Sequence, residues 1–479
     1  MSFAAPIFLW YFMPAVLLLY WVLPRQARNA LISVASLVFY TWGAGPYVFL
    51  LLSCIAVNYV AGLAVDSLRL AERPESRKAV VVGAIVFDLA VLAVWKYAGF
   101  ASRQIEALSS ALGVGSTGIV SLALPIGISF FTFHHLSYVV DVYRRSRPAQ
   151  RSIVQFVTYI AMFPQLIAGP IVRYHEISAQ LADVKRNRMA DFSLGFPRFA
   201  LGLSKKVLVG DTVGPLADAA FATSSGDLTT GTAWLGIIAY TIQIYFDFSG
   251  YTDMAIGLGQ MFGFRLPENF DRPYSATSIT DFWRRWHMSL SRWFRDYVYI
   301  PLGGNRSGDA MTYRNLFIVF VLTGFWHGAE WTFLIWGLFH GGLLIVERLT
   351  GYGASTPANL ASLAGRRALT LLLVGIGWVF FRAENLGAAL GYLKTMFVPT
   401  SGPVPDAIVA VQTNQRMVVL IAATVVFLMP ADLVLGRLIE RFDRRPAVLL
   451  RGAVLFVCAP YAALAVAAGT FSPFLYAQF

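Results

Sequence analysis

Charge is scarce in this chain. Only 13% of its 479 residues are Asp, Glu, Lys or Arg, about half the roughly 25% of a soluble domain. With 57% hydrophobic residues and a mean hydropathy of +0.61, that excludes an ordinary water-soluble enzyme. Cysteine is nearly absent: Cys54 and Cys458 each sit in an apolar stretch, so neither a disulfide framework nor a thiolate metal site is expected. There is no Gly-x-Ser-x-Gly elbow, P-loop or dinucleotide fingerprint, and no nucleic-acid-binding module. No Ser/Gly/Pro-rich linker or soluble domain interrupts the chain, and no internal repeat suggests a two-halved transporter. The first 23 residues lack a basic leader and a small-residue cleavage site, so they read as a first span rather than a signal peptide.

What is present is a series of apolar runs, near residues 6–23, 29–43, 46–65, 79–100, 119–142, 152–172, 193–210, 231–262, 313–347, 367–382, 416–436 and 447–470. At roughly 20 residues per crossing they predict about ten to twelve transmembrane helices, some of them broken. The expected fold is an all-α polytopic membrane protein forming one domain over residues 1–479. Basic residues cluster in alternate loops: Arg25 and Arg28; Arg69, Arg73, Arg77 and Lys78; Arg144, Arg145, Arg147 and Arg151; and Arg437 to Arg445. The positive-inside rule places these loops in the cytoplasm and both termini outside. The formal net charge of +12 is then a matter of basic loops beside anionic membrane lipid.

The middle of the chain does not count cleanly into spans. Pro164, Gly169 and Pro170 interrupt one apolar run, and Tyr274 to Arg306 is too polar to cross. Broken, re-entrant and interfacial helices are tolerated at membrane depth where they line a cavity, so a central tunnel is expected here. Within 281–299, Trp283, Trp286, Leu290, Trp293 and Tyr297 recur at helical steps, with Asp281 as N-cap. This predicts one amphipathic helix bearing Arg284, Arg285, Arg292 and Arg295 off the aromatic stripe. Those arginines either face water at the headgroups or hold the phosphates of a nucleotide-bearing donor.

His327 lies in Gly324-Phe325-Trp326-His327-Gly328, inside an apolar run. An imidazole there is either a base beside a channel or a core histidine bonded to a carbonyl. His287, in the predicted interfacial helix, has the same two readings. Asp247 and Asp253 are six residues apart in an apolar setting, and pairing with Arg272, Arg284 or Arg285 is favoured over a cation site or proton relay. His134, His135 and His175 lack metal-ligand spacing, and a metal site is rejected.

The longer motifs carry a resemblance. Pro125 to Phe133 with Leu136-Ser137-Tyr138 and Asp141 to Arg144 form the first, followed by Phe163 to Leu166 with Ala168 to Tyr174. Tyr245 to Tyr251 with Asp253-Met254-Ala255 come next, then Phe282-Trp283-Arg284-Arg285-Trp286-His287-Met288-Ser289-Leu290 and Arg295-Asp296-Tyr297. Pro301 to Arg306, Gly324 to Gly328, Trp331, Trp336-Gly337 and His340-Gly341 complete the series. Together they resemble the membrane-bound O-acyltransferase family. The likeness is to its bacterial branch, which includes the alginate O-acetylation membrane protein and the teichoic acid D-alanyl transfer membrane protein. Two features depart from that pattern: the pair His134-His135, which is assigned no role, and Ala477 in the tail.

The resemblance implies that His327 is the general base and His287 the second polar residue of the active site, with His340 in a packing role. It implies no bound cofactor, and a cytoplasmic thioester such as acetyl-CoA as donor, with Arg284, Arg285, Arg292, Arg295, Trp326 and Asp247 as candidate substrate-binding residues. The acceptor hydroxyl would lie outside, on a polysaccharide or on an extracytoplasmic SGNH-type partner, with the chain in a bacterial inner membrane. Either His287 or Trp326 would steady the oxyanion. D-alanyl or peptidoglycan acyl transfer is the alternative within the family, and a non-catalytic export or scaffold component the alternative outside it. Ala, Val and Arg usage fits a GC-rich Gram-negative source, which favours acetyl on an exopolysaccharide.

Overall fold

The computed structural model describes residues 2–67, 72–113, 118, 122–183, 188–428, 445–469 and 474. Arg69, residues 437–444 of the predicted basic loop and tail residues 475–479 lie outside them. Among the described residues every regular element is helical. Five helical stretches are long and apolar enough to cross a membrane: Arg25–Asp66, Pro74–Ala111, Trp331–Thr350, Leu360–Arg382 and Val448–Ala467. Phe8–Val22 and Asn414–Phe427 are shorter apolar helices. These helices turn large apolar side chains outward, with Val22 75% exposed, Leu449 76% and Phe456 81%. Apolar surface left uncovered by protein on this scale needs lipid around it, and every backbone polar group within a helix is satisfied internally. The protein is an all-α, multi-pass membrane protein.

Contacts divide the chain into two compact units. The first comprises Met1–Phe196 with Ala255–Pro267, the second Pro197–Met254 with Glu268–Phe479. In the first, the helix Ile128–Tyr143 is buried on all sides along most of its length, as expected of an apolar core helix. Its Tyr138 fits against the helix Val48–Asp66 because position 62 is glycine: a Cβ there would lie 2.2 Å from Tyr138 Oη. The break predicted at Pro164 occurs. The helix Ile153–Ala161 ends, a single turn Phe163–Leu166 follows, and Gly169 folds back so tightly that a Cβ would fall 2.5 Å from the Pro164 carbonyl oxygen.

In the second unit, Gly202 and Gly250 bring the helices Arg188–Ser204 and Thr230–Met261 into backbone contact. A Cβ on Gly202 would lie 2.4 Å from the Gly250 carbonyl oxygen. Small residues of this kind substitute close van der Waals packing for the hydrophobic drive that lipid removes.

The stretch 281–299 is not one helix, which corrects the sequence expectation. A short helix Ile279–Trp283 ends at a turn, His287 takes a left-handed conformation (φ 46°, ψ 51°), and a new helix Met288–Phe294 begins after it. A π-helical turn, Arg295–Tyr299, follows. The N-cap is Ser278, whose hydroxyl accepts from Asp281 N–H at 3.0 Å, and not Asp281. Periodicity misled here because a single left-handed residue reverses the chain without disturbing the spacing of apolar residues.

Candidate active site

His327 is the last residue of the helix Asp309–His327, and three residues separate it from the start of the antiparallel helix Trp331–Thr350. The two helices meet at glycines. A Cβ on Gly324 would lie 2.5 Å from the Phe333 carbonyl oxygen, and one on Gly337 2.4 Å from that of Phe320. This approach sets the His327 imidazole among Trp326, Trp336 and Phe381, with ring centroids at 4.8, 5.0 and 5.2 Å. The last two are close to perpendicular, the edge-to-face arrangement that aromatic quadrupoles favour. His327 is buried, at 4% exposure.

His287 reaches the same layer from the turn after Ile279–Trp283. That short helix is anchored by Glu347, whose carboxylate accepts from Ile279 N–H at 2.6 Å and Thr280 N–H at 2.8 Å. A carboxylate at a helix N-terminus answers both its unpaired donors and its dipole. Two backbone bonds clamp the turn itself: Asp271 N–H to Arg285 O and Met288 N–H to Asn269 O, both 2.9 Å. The His287 ring stands edge-on to Phe248 at 4.9 Å and lies 6.1 Å from Trp326. Its Nδ1 is 3.0 Å from Asn269 Oδ1. Burial pushes this imidazole down to about 3, because the low-dielectric surroundings disfavour the charged form.

His340 completes the row. It lies 5.2 Å from both Trp336 and Trp283, and its Nδ1 accepts from Trp283 Nε1 at 3.4 Å. Its Nε2 faces Gly377, where a Cβ would stand 2.5 Å away. His287, Trp326, His327, Trp336 and His340 thus form one buried imidazole and indole layer in the second unit.

The other expected residues divide. Trp326 belongs to the layer and neighbours both catalytic candidates. Asp247 and Asp253 meet basic residues that the sequence reading did not name. Asp247 sits 3.8 Å from Lys206, and Asp253 takes Lys205 at 2.7 Å and Arg198 at 2.8 Å. The π-helical turn Lys205–Gly210 sends adjacent lysines to different carboxylates, an arrangement no spacing rule reveals. Of the arginines, Arg285 engages Asp281 at 2.8 Å and Arg295 engages Asp296 at 2.7 Å. Arg284 and Arg295 are exposed, and Arg285 and Arg292 half-buried. In the first unit, His134 and His135 are enclosed in the Ile128–Tyr143 helix, and His175 Nδ1 meets Asp141 at 2.9 Å. Asn269 and Glu347 are the site residues the sequence reading missed. Asn269 is 18 residues from His287, and nothing short of the fold joins them.

Comparison with known proteins places this geometry. The family model described as MBOAT, membrane-bound O-acyltransferase family, matches residues 87–369, which contain the whole layer. A protein of Azotobacter vinelandii named "Probable alginate O-acetylase AlgI" is 44% identical over 426 residues, covering 89% of this chain and 84% of that one. A "Peptidoglycan O-acetyltransferase" of Helicobacter pylori is 37% identical over 432 residues, 82% of this chain and 79% of that one. A "Teichoic acid D-alanyltransferase" of Bacillus subtilis is 30% identical over 228 residues, 46% and 58% of the two chains.

Proposed function

The chain belongs to the membrane-bound O-acyltransferase family, and on that premise we propose that its acyl group is acetyl and its acceptor an exported polysaccharide. The enzyme is an O-acyltransferase; the donor in this reading is a cytoplasmic thioester of the acetyl-CoA type. Similarity along most of the chain to proteins named for alginate and peptidoglycan O-acetylation supports acetyl and polysaccharide. The observation that carries the reading is the buried layer in which Trp326 neighbours both His327 and His287.

The chemistry follows from what an alcohol lacks. A hydroxyl is a poor nucleophile at neutral pH, and a positioned imidazole whose pKa lies near working pH is the most effective base. His327 takes the hydroxyl proton as the oxygen attacks the thioester carbonyl. The tetrahedral oxyanion is held by a hydrogen-bond donor and collapses with cleavage of the carbon–sulfur bond. The thiolate leaves with the proton from His327. Water exclusion around the layer keeps the thioester from hydrolysis.

The acceptor hydroxyl in this proposal belongs to an extracytoplasmic SGNH-type partner, which passes the acetyl group to the polymer. The chain resides in a bacterial inner membrane, with both termini periplasmic and its basic loops in the cytoplasm. Arg284, Arg285, Arg292 and Arg295 line the donor's approach. The test is the full chain, purified into nanodiscs, given acetyl-labelled CoA and a polysaccharide or serine-hydroxyl acceptor. Release of free thiol matched by label in ester linkage is expected. Folded protein that cleaves no thioester would return the chain to the export or scaffold reading, and preference for a D-alanyl thioester would replace acetyl.

A further inference from the structure

Asn269 is fully buried, and its side-chain oxygen serves three groups at once. It accepts from Ser289 N–H at 3.1 Å and from the Ser289 hydroxyl at 2.8 Å, and it stands 3.0 Å from His287 Nδ1. The backbone N–H of Ser289 can only donate, which fixes the amide with its oxygen, not its nitrogen, toward 287–289. His287 Nδ1 therefore faces a lone pair and carries the ring proton. A bare Nδ1 would set two lone pairs against each other. In a neutral imidazole with Nδ1 protonated, Nε2 is an acceptor only.

We propose that Asn269 is a positioning residue that holds His287 in its Nδ1–H form, so that His287 meets substrate through a bare Nε2 and accepts a hydrogen from a substrate O–H or N–H. It follows that His287 does not steady the oxyanion. Of the two candidate donors, that leaves the Trp326 indole N–H, whose ring neighbours both His287 and His327. The inference rests on the acyltransferase reading of this layer. It draws on three independent restraints at His287: the left-handed backbone, the clamp of Met288 N–H on Asn269 O, and the shared amide oxygen. Burial adds to them by keeping Nε2 unprotonated at working pH. The His340 ring has the opposite arrangement, its Nδ1 accepting from Trp283, so the layer holds two differently oriented imidazoles by two different partners.

The experiment is nitrogen NMR on the full chain in nanodiscs with labelled histidine, where six histidines are present and the His287 signals are identified by their loss in His287→Gln. A protonated Nδ1 and bare Nε2 are expected in the wild type, with the other tautomer appearing in Asn269→Leu. A wild-type His287 protonated at Nε2 overturns the proposal, and so does an unchanged tautomer in Asn269→Leu. This readout needs no turnover, so it fails or succeeds independently of the assigned reaction. In the transfer assay, Asn269→Leu should lower kcat at least tenfold with donor KM unchanged. Asn269→Asp, which keeps the acceptor, should recover most of that loss and move the acid limb of the pH profile upward, because a carboxylate beside Nδ1–H favours the imidazolium. Equal losses in both variants with an unmoved pH profile would reduce Asn269 to a packing residue.

Discussion

Two regions of this protein bury imidazoles almost equally. In the first unit His134 and His135 are 0% exposed on the helix Ile128–Tyr143. In the second, His287 and His340 are 0% and His327 is 4% exposed. What differs is the surroundings. His135 lies in a helix interior among Phe131 and Phe156, at 5.9 and 6.4 Å. Two histidines of the second unit sit at helix boundaries, His327 at a helix end beside Gly328 and His287 in a left-handed turn, and His340 lies within a helix against a glycine of another helix. Glycine clears space beside His340 and brings together the helices that flank His327, and hydrogen bonds with a side-chain amide and an indole orient His287 and His340. Burial alone does not distinguish the two sets; backbone position and polar ring partners do.

Four changes can break or sharpen that contrast, beginning with the largest. Gly324→Leu should cost both folding and transfer, since its Cβ would meet the Phe333 backbone at 2.5 Å and helices cannot yield there as a flexible side chain would. Thermal unfolding in detergent should fall by the equivalent of about 1–3 kcal/mol, the usual cost of overpacking; a stable, active variant would mean the helix crossing does not position His327. Trp326→Phe keeps the ring but removes the N–H, and should lower kcat by about 10²–10³-fold, as loss of an oxyanion donor does, with the thermal midpoint little changed. Retained kcat would send the oxyanion role elsewhere. Lysine at Arg284 or Arg292 should raise the donor KM by about 2–10-fold, the worth of one hydrogen bond, and leave acceptor dependence alone. Arg285 and Arg295, already engaged by carboxylates, should respond less, and a flat KM across all four makes this segment purely interfacial. His135→Phe should leave transfer within about twofold of wild type. A loss there comparable to that at the second-unit histidines would erase the distinction between the two regions.

Much of this was legible in the sequence. The apolar runs gave an all-helical membrane protein because hydrophobic length maps directly onto bilayer thickness. The break at Pro164 and Gly169 was visible because those residues cannot continue a helix. The motif around His327 stood out because polar groups are rare in apolar runs. Connections over distance in the folded chain were not legible. The left-handed turn at His287 has no glycine to announce it, and the preserved aromatic spacing argued for an unbroken helix. Asn269 and Glu347 act through groups 18 and 67–68 residues away, and the partners of Asp253 depend on a helix crossing set by Gly202 and Gly250.

The central claim is that the His327 imidazole is the base of an O-acyl transfer. Its most direct test is the single-turnover rate of acetyl transfer from labelled acetyl-CoA by wild type and His327→Ala, both shown folded by equal thermal midpoints in nanodiscs. A base of this kind is worth about 10²–10⁴-fold, so the variant should bind donor normally and transfer at no more than about one hundredth of the wild-type rate. A folded variant that still transfers at a tenth of that rate would contradict the assignment.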